Sequence, residues 1–252
     1  MTSPPRSPFE LRRLEVDSRG AARRVWQFYV VCDVSESMWD EQRWRNGDSP
    51  LDVMNTSLSL MLESLNDHHE AAAIGRISII TFHETAATHY PLTRIDEPDV
   101  MRPLPRGSWT NYLDVWKHLH HRIDADLAAL RAEGLSPKRP VVFFVTDGNA
   151  GALGAPQPID MWKPLHDQLC APTFAERPLI VALGMGDVDT STVLAIRSTD
   201  PSGPACRARH GEPASTLLDA IIKVVIDSIG KSAASGTFRF NVPPGMTRLD
   251  QV

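Results

Sequence analysis

The stretch Val25-Trp26-Gln27-Phe28-Tyr29-Val30-Val31-Cys32 is almost wholly apolar and stops abruptly at Asp33-Val34-Ser35-Glu36-Ser37. An apolar run without alternation marks a strand covered on both faces, and such strands belong to parallel sheets flanked by helices. Open sheets of that kind bind their ligands outside the carboxyl ends of the strands. The run therefore delivers one carboxylate and two hydroxyls, all hard oxygen donors, to the edge where a ligand is expected. Such a loop suits a small divalent cation. On average residue usage an Asp-x-Ser-x-Ser pattern arises by chance in roughly a few per cent of chains this long, so context has to decide.

Two further segments supply that context. Val141-Val142-Phe143-Phe144-Val145 runs into Thr146-Asp147-Gly148, a second buried strand carrying an acid and a glycine to the same edge. Gly107-Ser108-Trp109-Thr110-Asn111 precedes a long helical pattern.

Around these loops the chain alternates strands and helices. Asp48-Ser49-Pro50 supplies a cap and a first-turn proline for a helix whose stripe is Leu51, Met54, Leu58, Met61, Leu62 and Leu65. Arg76–Phe82 and Thr85–Tyr90 are close enough to form an antiparallel hairpin at a sheet edge. A helix over Tyr112–Arg131 buries Leu113, Trp116, Leu119, Ile123, Leu127 and Leu130, and further helices are expected at Met161–Leu169, Thr190–Arg197 and Ser215–Ile229. Strands are expected at Leu179–Gly186, at Ser202–Arg209 and, in the tail, at Thr237–Val242. The pattern predicts an α/β fold: a doubly wound, mostly parallel sheet with one antiparallel edge strand and helices on both faces. An arm of residues 1–24, a domain of residues 25–230 and a tail of residues 231–252 are the expected divisions.

With Asp33, Ser35, Ser37, Thr110 and Asp147 in that order on three strand-end loops, the chain resembles the von Willebrand factor A (VWA) family, whose metal-ion-dependent adhesion site is an Asp-x-Ser-x-Ser, a Thr and an Asp. Arg76-Ile77-Ser78-Ile79-Ile80-Thr81-Phe82 and Leu179-Ile180-Val181-Ala182-Leu183-Gly184-Met185-Gly186 resemble further strands of that fold, and the likeness extends from about Trp26 to Ile229. Within the family, Val30-Val31-Cys32-Asp33, Ile79-Ile80-Thr81-Phe82 and Phe143-Phe144-Val145-Thr146-Asp147-Gly148 are similar to the TerY-like bacterial proteins of tellurium-resistance and stress operons.

The resemblance implies a metal site in which Asp33, Ser35 and Ser37 are the main anchors, Thr110 binds directly or through water, and Asp147 acts through water or orients coordinating groups. Hydroxyls ligate as neutral dipoles, so two Asp and three hydroxyls leave a divalent ion with residual positive charge. In the family that charge takes an Asp or Glu of a partner protein. Mg²⁺ is favoured, with Mn²⁺ or Ca²⁺ as alternatives. The TerY likeness points to partners among kinase-like or phosphatase-like proteins of the same operon and to an adaptor role. Glu36 stands where the family commonly has glycine, and either faces solvent or adds negative charge beside the ion. Trp39, Trp44 and Trp109 either contact the partner as aromatic anchors or cover the core edge.

Composition narrows the alternatives. Lys and Arg number 26 against 31 Asp and Glu, a formal charge of −5 that gives no general attraction to nucleic acid or anionic membrane. No apolar stretch approaches the roughly 18 to 20 residues that span a bilayer, and Met1–Arg24 lacks the apolar core of a signal peptide, so a cytoplasmic location is expected. The three cysteines, Cys32, Cys170 and Cys206, show no paired spacing. His118, His120 and His121 cannot bring three rings to one point on a helix. A magnesium-dependent hydrolase or phosphatase stays open as the second reading, since a metal with open positions activates water. Against it, no His, Lys or third carboxylate other than Glu36 is placed on the three loops as a base. Nucleotide binding lacks a phosphate loop.

Overall fold

The computed structural model describes residues 23–40, 49–67, 69–148, 151–152, 155–185, 188–199, 203–208 and 214–250. Its strands are β1 (Arg24–Asp33), β2 (Gly75–Phe82), β3 (Ala86–Arg94), β4 (Ser136–Pro137), β5 (Val141–Thr146), β6 (Gly151–Ala152), β7 (Ala155–Pro156), β8 (Leu179–Gly184), β9 (Ala205–Ala208) and β10 (Met246–Arg248). The helices are α1 (Pro50–Asp67), α2 (His69–Ile74), α3 (Tyr112–Ala132), α4 (Ile159–Cys170), α5 (Thr190–Ile196) and α6 (Ala214–Ser235), with one 3-10 turn at Glu36–Met38.

The main sheet runs β10-β9-β8-β5-β1-β2-β3, with β4 pairing beside β1. β1 pairs in parallel with both β2 and β5, and β5 with β8 and β8 with β9 follow suit. β3 is the expected antiparallel edge. A second antiparallel strand, β10, closes the opposite edge against β9. It replaces the strand expected at Thr237–Val242, which is irregular. Phe238 and Phe240 alternate like a strand, yet both pack onto the core, and the Arg239 N–H donates to Ser232 Oγ at 3.1 Å rather than to a ladder.

Alternation hidden in the sequence is plain in space. Trp26, Phe28, Val30 and Cys32 of β1 enter one core layer with α1 and α6, whereas Tyr29 and Val31 enter the other with α3, α4 and α5. β5 splits likewise, with Phe143 on the first face and Phe144 on the second. Because both faces are covered, a continuous apolar run is what the position demands. Ser49 caps α1 as expected: its Oγ accepts from the Asp52 N–H at 3.2 Å and donates to Asp52 Oδ2 at 2.6 Å. Among the described residues no helix is long and apolar enough to cross a membrane.

From β1 the chain proceeds to β2 on one side, while β5 and β8 lie on the other. Strand order therefore reverses between β1 and β5, and the crevice at their carboxyl ends is the topological switch point of the sheet. Asp33 ends β1 and Asp147 follows β5 directly.

Candidate metal centre

Parallel pairing of β1 and β5 opposes Cys32 to Val145, which sets Asp33 beside Thr146 and Asp147. Both carboxylates are buried, as are Ser35 and Thr110. Burial, and then the charge of Asp147, push the Asp33 carboxyl up to about 7, although hydrogen bonds from Ser35 and Thr146 oppose the shift. Asp33 Oδ1 accepts the Ser35 N–H at 3.0 Å and Oδ2 accepts the Thr146 hydroxyl at 2.7 Å. Ser35 Oγ and Ser37 Oγ lie 3.2 Å apart, so the two hydroxyls of the loop sit together.

The Thr110 loop is fastened to this loop through its backbone. The Glu36 N–H donates to the Ser108 carbonyl at 2.6 Å, and the Gly107 N–H to the Val34 carbonyl at 2.9 Å. A Cβ on Gly107 would lie 2.2 Å from His83, so the close approach of the Thr110 loop to the residue after β2 requires glycine there. The Asn111 N–H binds the His83 carbonyl at 2.9 Å, and its side chain accepts from the Asp114 N–H to cap α3. On the third loop, Gly148 has φ +82° and a Cβ would fall 1.7 Å from Val188 Cγ2. Thus Asp33, Ser35, Ser37 and Asp147 meet at one crevice, and the Thr110 loop borders it.

The other candidate residues divide. Glu36 is exposed. Trp39 is half-buried against the core, and its Nε1–H donates to the Gly107 carbonyl at 2.9 Å. Trp109 is half-exposed beside Thr110, and Trp44 lies outside the described residues. The histidines of α3 disperse: His118 meets Thr88 Oγ1 at 2.9 Å, and His120 stands edge-on to Phe174 at 4.5 Å.

Sequence reasoning missed three participants. Thr146 donates to the Asp33 carboxylate, the Tyr112 hydroxyl bonds Thr146 in turn, and His83, just after β2, packs against Gly107. Thr146 precedes Asp147 and Tyr112 follows Thr110 by two, so nearness to the motif was the available signal.

The donor set fits a hard divalent cation. Two buried carboxylates that repel each other beside clustered hydroxyls form an oxygen-only site. Among the described residues no group of three or more His, Cys, Asp and Glu converges, so any ion here relies on the hydroxyls.

No family model and no curated protein matches this chain. Solved structures do. The chain is similar to the open conformation of the pilus adhesin SpaC from Lactobacillus rhamnosus GG, with TM-score 0.59 and 13% identity over 84% of this chain and 31% of that one. It is similar to proximal thread matrix protein 1 from the mussel byssus, described with a zinc-occupied MIDAS motif, with TM-score 0.50 and 18% identity over 82% and 48%. A von Willebrand factor type A protein from Catenulispora acidiphila gives TM-score 0.50 and 14% identity over 83% and 43%. The chain spans less than half the length of these proteins. At such identities the likeness is one of fold, a mostly parallel α/β sheet of the VWA or Rossmann-like type.

Proposed function

We propose that this chain is a non-enzymatic, metal-dependent protein-binding module. Asp33, Ser35, Ser37, Thr110 and Asp147 hold a divalent cation, Mg²⁺ in the first instance and Mn²⁺ or Ca²⁺ as alternatives, and the cation takes an Asp or Glu of a partner protein. The observation that supports it is the pair of buried carboxylates at the switch point, with Asp33 pushed up to about 7 by burial and by Asp147. When bound, the ion supplies positive charge and coordination positions for one more anionic oxygen. Asp33 and Asp147 offset its charge, and the fixed backbone of the Val34–Glu36 and Gly107–Asn111 segments keeps the hydroxyls in place. The zinc-occupied motif of the mussel protein lends support to a divalent ion.

Within that reading, the TerY likeness favours a cytoplasmic adaptor in a bacterial stress-response or phosphorylation-linked assembly, with kinase-like or phosphatase-like partners. Calorimetric titration with Mg²⁺ and Mn²⁺ tests the site: wild type binds and Asp33→Ala does not. Immobilised protein, with Mg²⁺ or with chelator, then tests docking: partners are retained with Mg²⁺ and lost with chelator or in Thr110→Ala. No divalent binding, or equal retention in every condition, overturns the reading. Phosphoester turnover abolished by Asp33→Ala makes the protein an enzyme instead.

A further inference from the structure

We infer that Tyr112 and Thr146 are positioning residues of this centre, their hydroxyls forming a buried chain that fixes the Asp33 carboxylate for a cation; the inference rests on the metal-binding reading above. Thr146 Oγ1 makes three contacts. It donates to Asp33 Oδ2 at 2.7 Å, accepts the Gly148 N–H at 2.9 Å, and lies 3.0 Å from the Tyr112 hydroxyl. A threonine hydroxyl has one proton, and Asp33 takes it. Tyr112 must therefore be the donor in its contact with Thr146.

Every member is out of reach of water: Asp33 is 0% exposed, Thr146 1% and Tyr112 0%. Solvent cannot replace a lost link. With the Ser35 N–H on Oδ1 and the Thr146 hydroxyl on Oδ2, both carboxylate oxygens are pinned, and each keeps a lone pair for an ion. All donors point toward the carboxylate, so the chain is polarised in the sense that favours the anion.

Tyr112 is itself held by packing and by a backbone hydrogen bond. Its ring packs against Trp162 at 5.2 Å and Phe82 at 5.8 Å, and its N–H donates to Gln157 Oε1 at 2.9 Å. It is also the first residue of α3, two beyond Thr110. One side chain thus ties the orientation of Asp33 to the position of the Thr110 loop.

The test is calorimetric titration of Mn²⁺ and Mg²⁺ into wild type, Tyr112→Phe, Thr146→Val, Thr146→Ser and the Tyr112→Phe/Thr146→Val double variant, with unfolding in chelator read alongside. Tyr112→Phe should weaken affinity about three- to tenfold and Thr146→Val more, while Thr146→Ser stays near wild type. Since Tyr112 acts through Thr146, the double variant should bind no more weakly than Thr146→Val. Unchanged affinity in Tyr112→Phe, or losses that add in the double variant, overturns the inference. Tyr112→Phe keeps the ring and decides the matter alone if Thr146→Val does not fold. Wild type that binds neither ion overturns the metal reading and this inference with it, a failure visible before any variant is made.

Discussion

The indole N–H of Trp39 donates to the Gly107 carbonyl at 2.9 Å, joining residues 68 apart in the chain. It is the side-chain counterpart of the backbone bonds from Glu36 to Ser108 and from Gly107 to Val34. The Arg106 guanidinium lies over the same ring at 5.4 Å. Trp39 thereby clasps the Thr110 loop to the Asp33 loop, and Trp109, beside Thr110, is partly exposed as Trp39 is.

Trp39→Phe keeps an aromatic ring but removes the donor and part of the ring volume, so it should cost about 1 to 2 kcal/mol of stability. Trp39→Ala also loses packing and should cost about 2 to 3 kcal/mol. Urea unfolding in chelator measures both. Equal stability of Trp39→Phe and wild type would show that the bond contributes nothing.

Gly148 carries two constraints that one substitution violates together. At φ +82° an L side chain is strained, costing roughly 1 to 2 kcal/mol, and its Cβ would meet Val188 Cγ2 at 1.7 Å. Gly148→Ala should therefore destabilise by about 2 to 4 kcal/mol. Adding Val188→Ala removes the Cγ2 contact but leaves Val188 Cβ 2.8 Å from the new methyl, along with the backbone strain, so the double variant should recover only part of the loss beyond the cost of Val188→Ala alone. A loss no smaller in the Val188→Ala background than in wild type would show that the Cγ2 contact contributes nothing to the penalty.

Much of this was legible because strong constraints are local. Two-sided burial writes itself into Val25–Cys32 and Val141–Val145, and the acids that end those strands are visible where the apolar runs stop. The edges read poorly. Thr237–Val242 has the alternation of a strand, but its two phenylalanines were taken by the core, whereas β10 is three residues with little pattern of their own. Tyr112 and Thr146 are 34 residues apart, and a hydrogen bond closed by tertiary packing leaves no periodicity to find. Tyr112 looked like the start of a helix, which it also is.

His166 offers a test by pH. It is wholly buried, with Nε2 2.8 Å from the Ile196 carbonyl and Nδ1 3.1 Å from Lys163 Nζ. That pairing suits the neutral ring, whose Nε2–H donates to the end of α5 while Nδ1 accepts from the ammonium. Burial first, then Lys163, holds its pKa below the usual histidine value, against the opposing pull of Asp167, whose Oδ1 lies 3.2 Å from Nδ1. Below about pH 6.5 the unfolded chain takes up a proton that the folded chain refuses, so this stability is present above that pH and lost as pH falls. His166→Gln should be less stable than wild type at pH 8 and should close the gap toward pH 5, by at most about 1.4 kcal/mol per pH unit. Parallel stability curves for the two proteins would remove the role.

Asp33 has the opposite sign. Its folded carboxyl is pushed up to about 7 by burial and by Asp147. In the metal-free protein between about pH 4 and 7 the folded state holds a proton that the unfolded state has released. Its contribution is present below about pH 4 and lost as pH rises through 7, where the buried anion must form beside Asp147. Asp33→Asn cannot form that anion, and at pH 8 in chelator it should be more stable than wild type, by an amount on the order of a few kcal/mol or less. With Mg²⁺ the ranking should reverse, because binding at a hundred times Kd adds about 2.7 kcal/mol to wild type and nothing to a variant that has lost a charged ligand. Scans of unfolding at pH 8, with chelator and with Mg²⁺, show both halves at once. If Asp33→Asn is the less stable protein in chelator, the hydrogen bonds from Ser35 and Thr146, one of which an amide NH2 cannot accept, outweigh the cost of the buried anion.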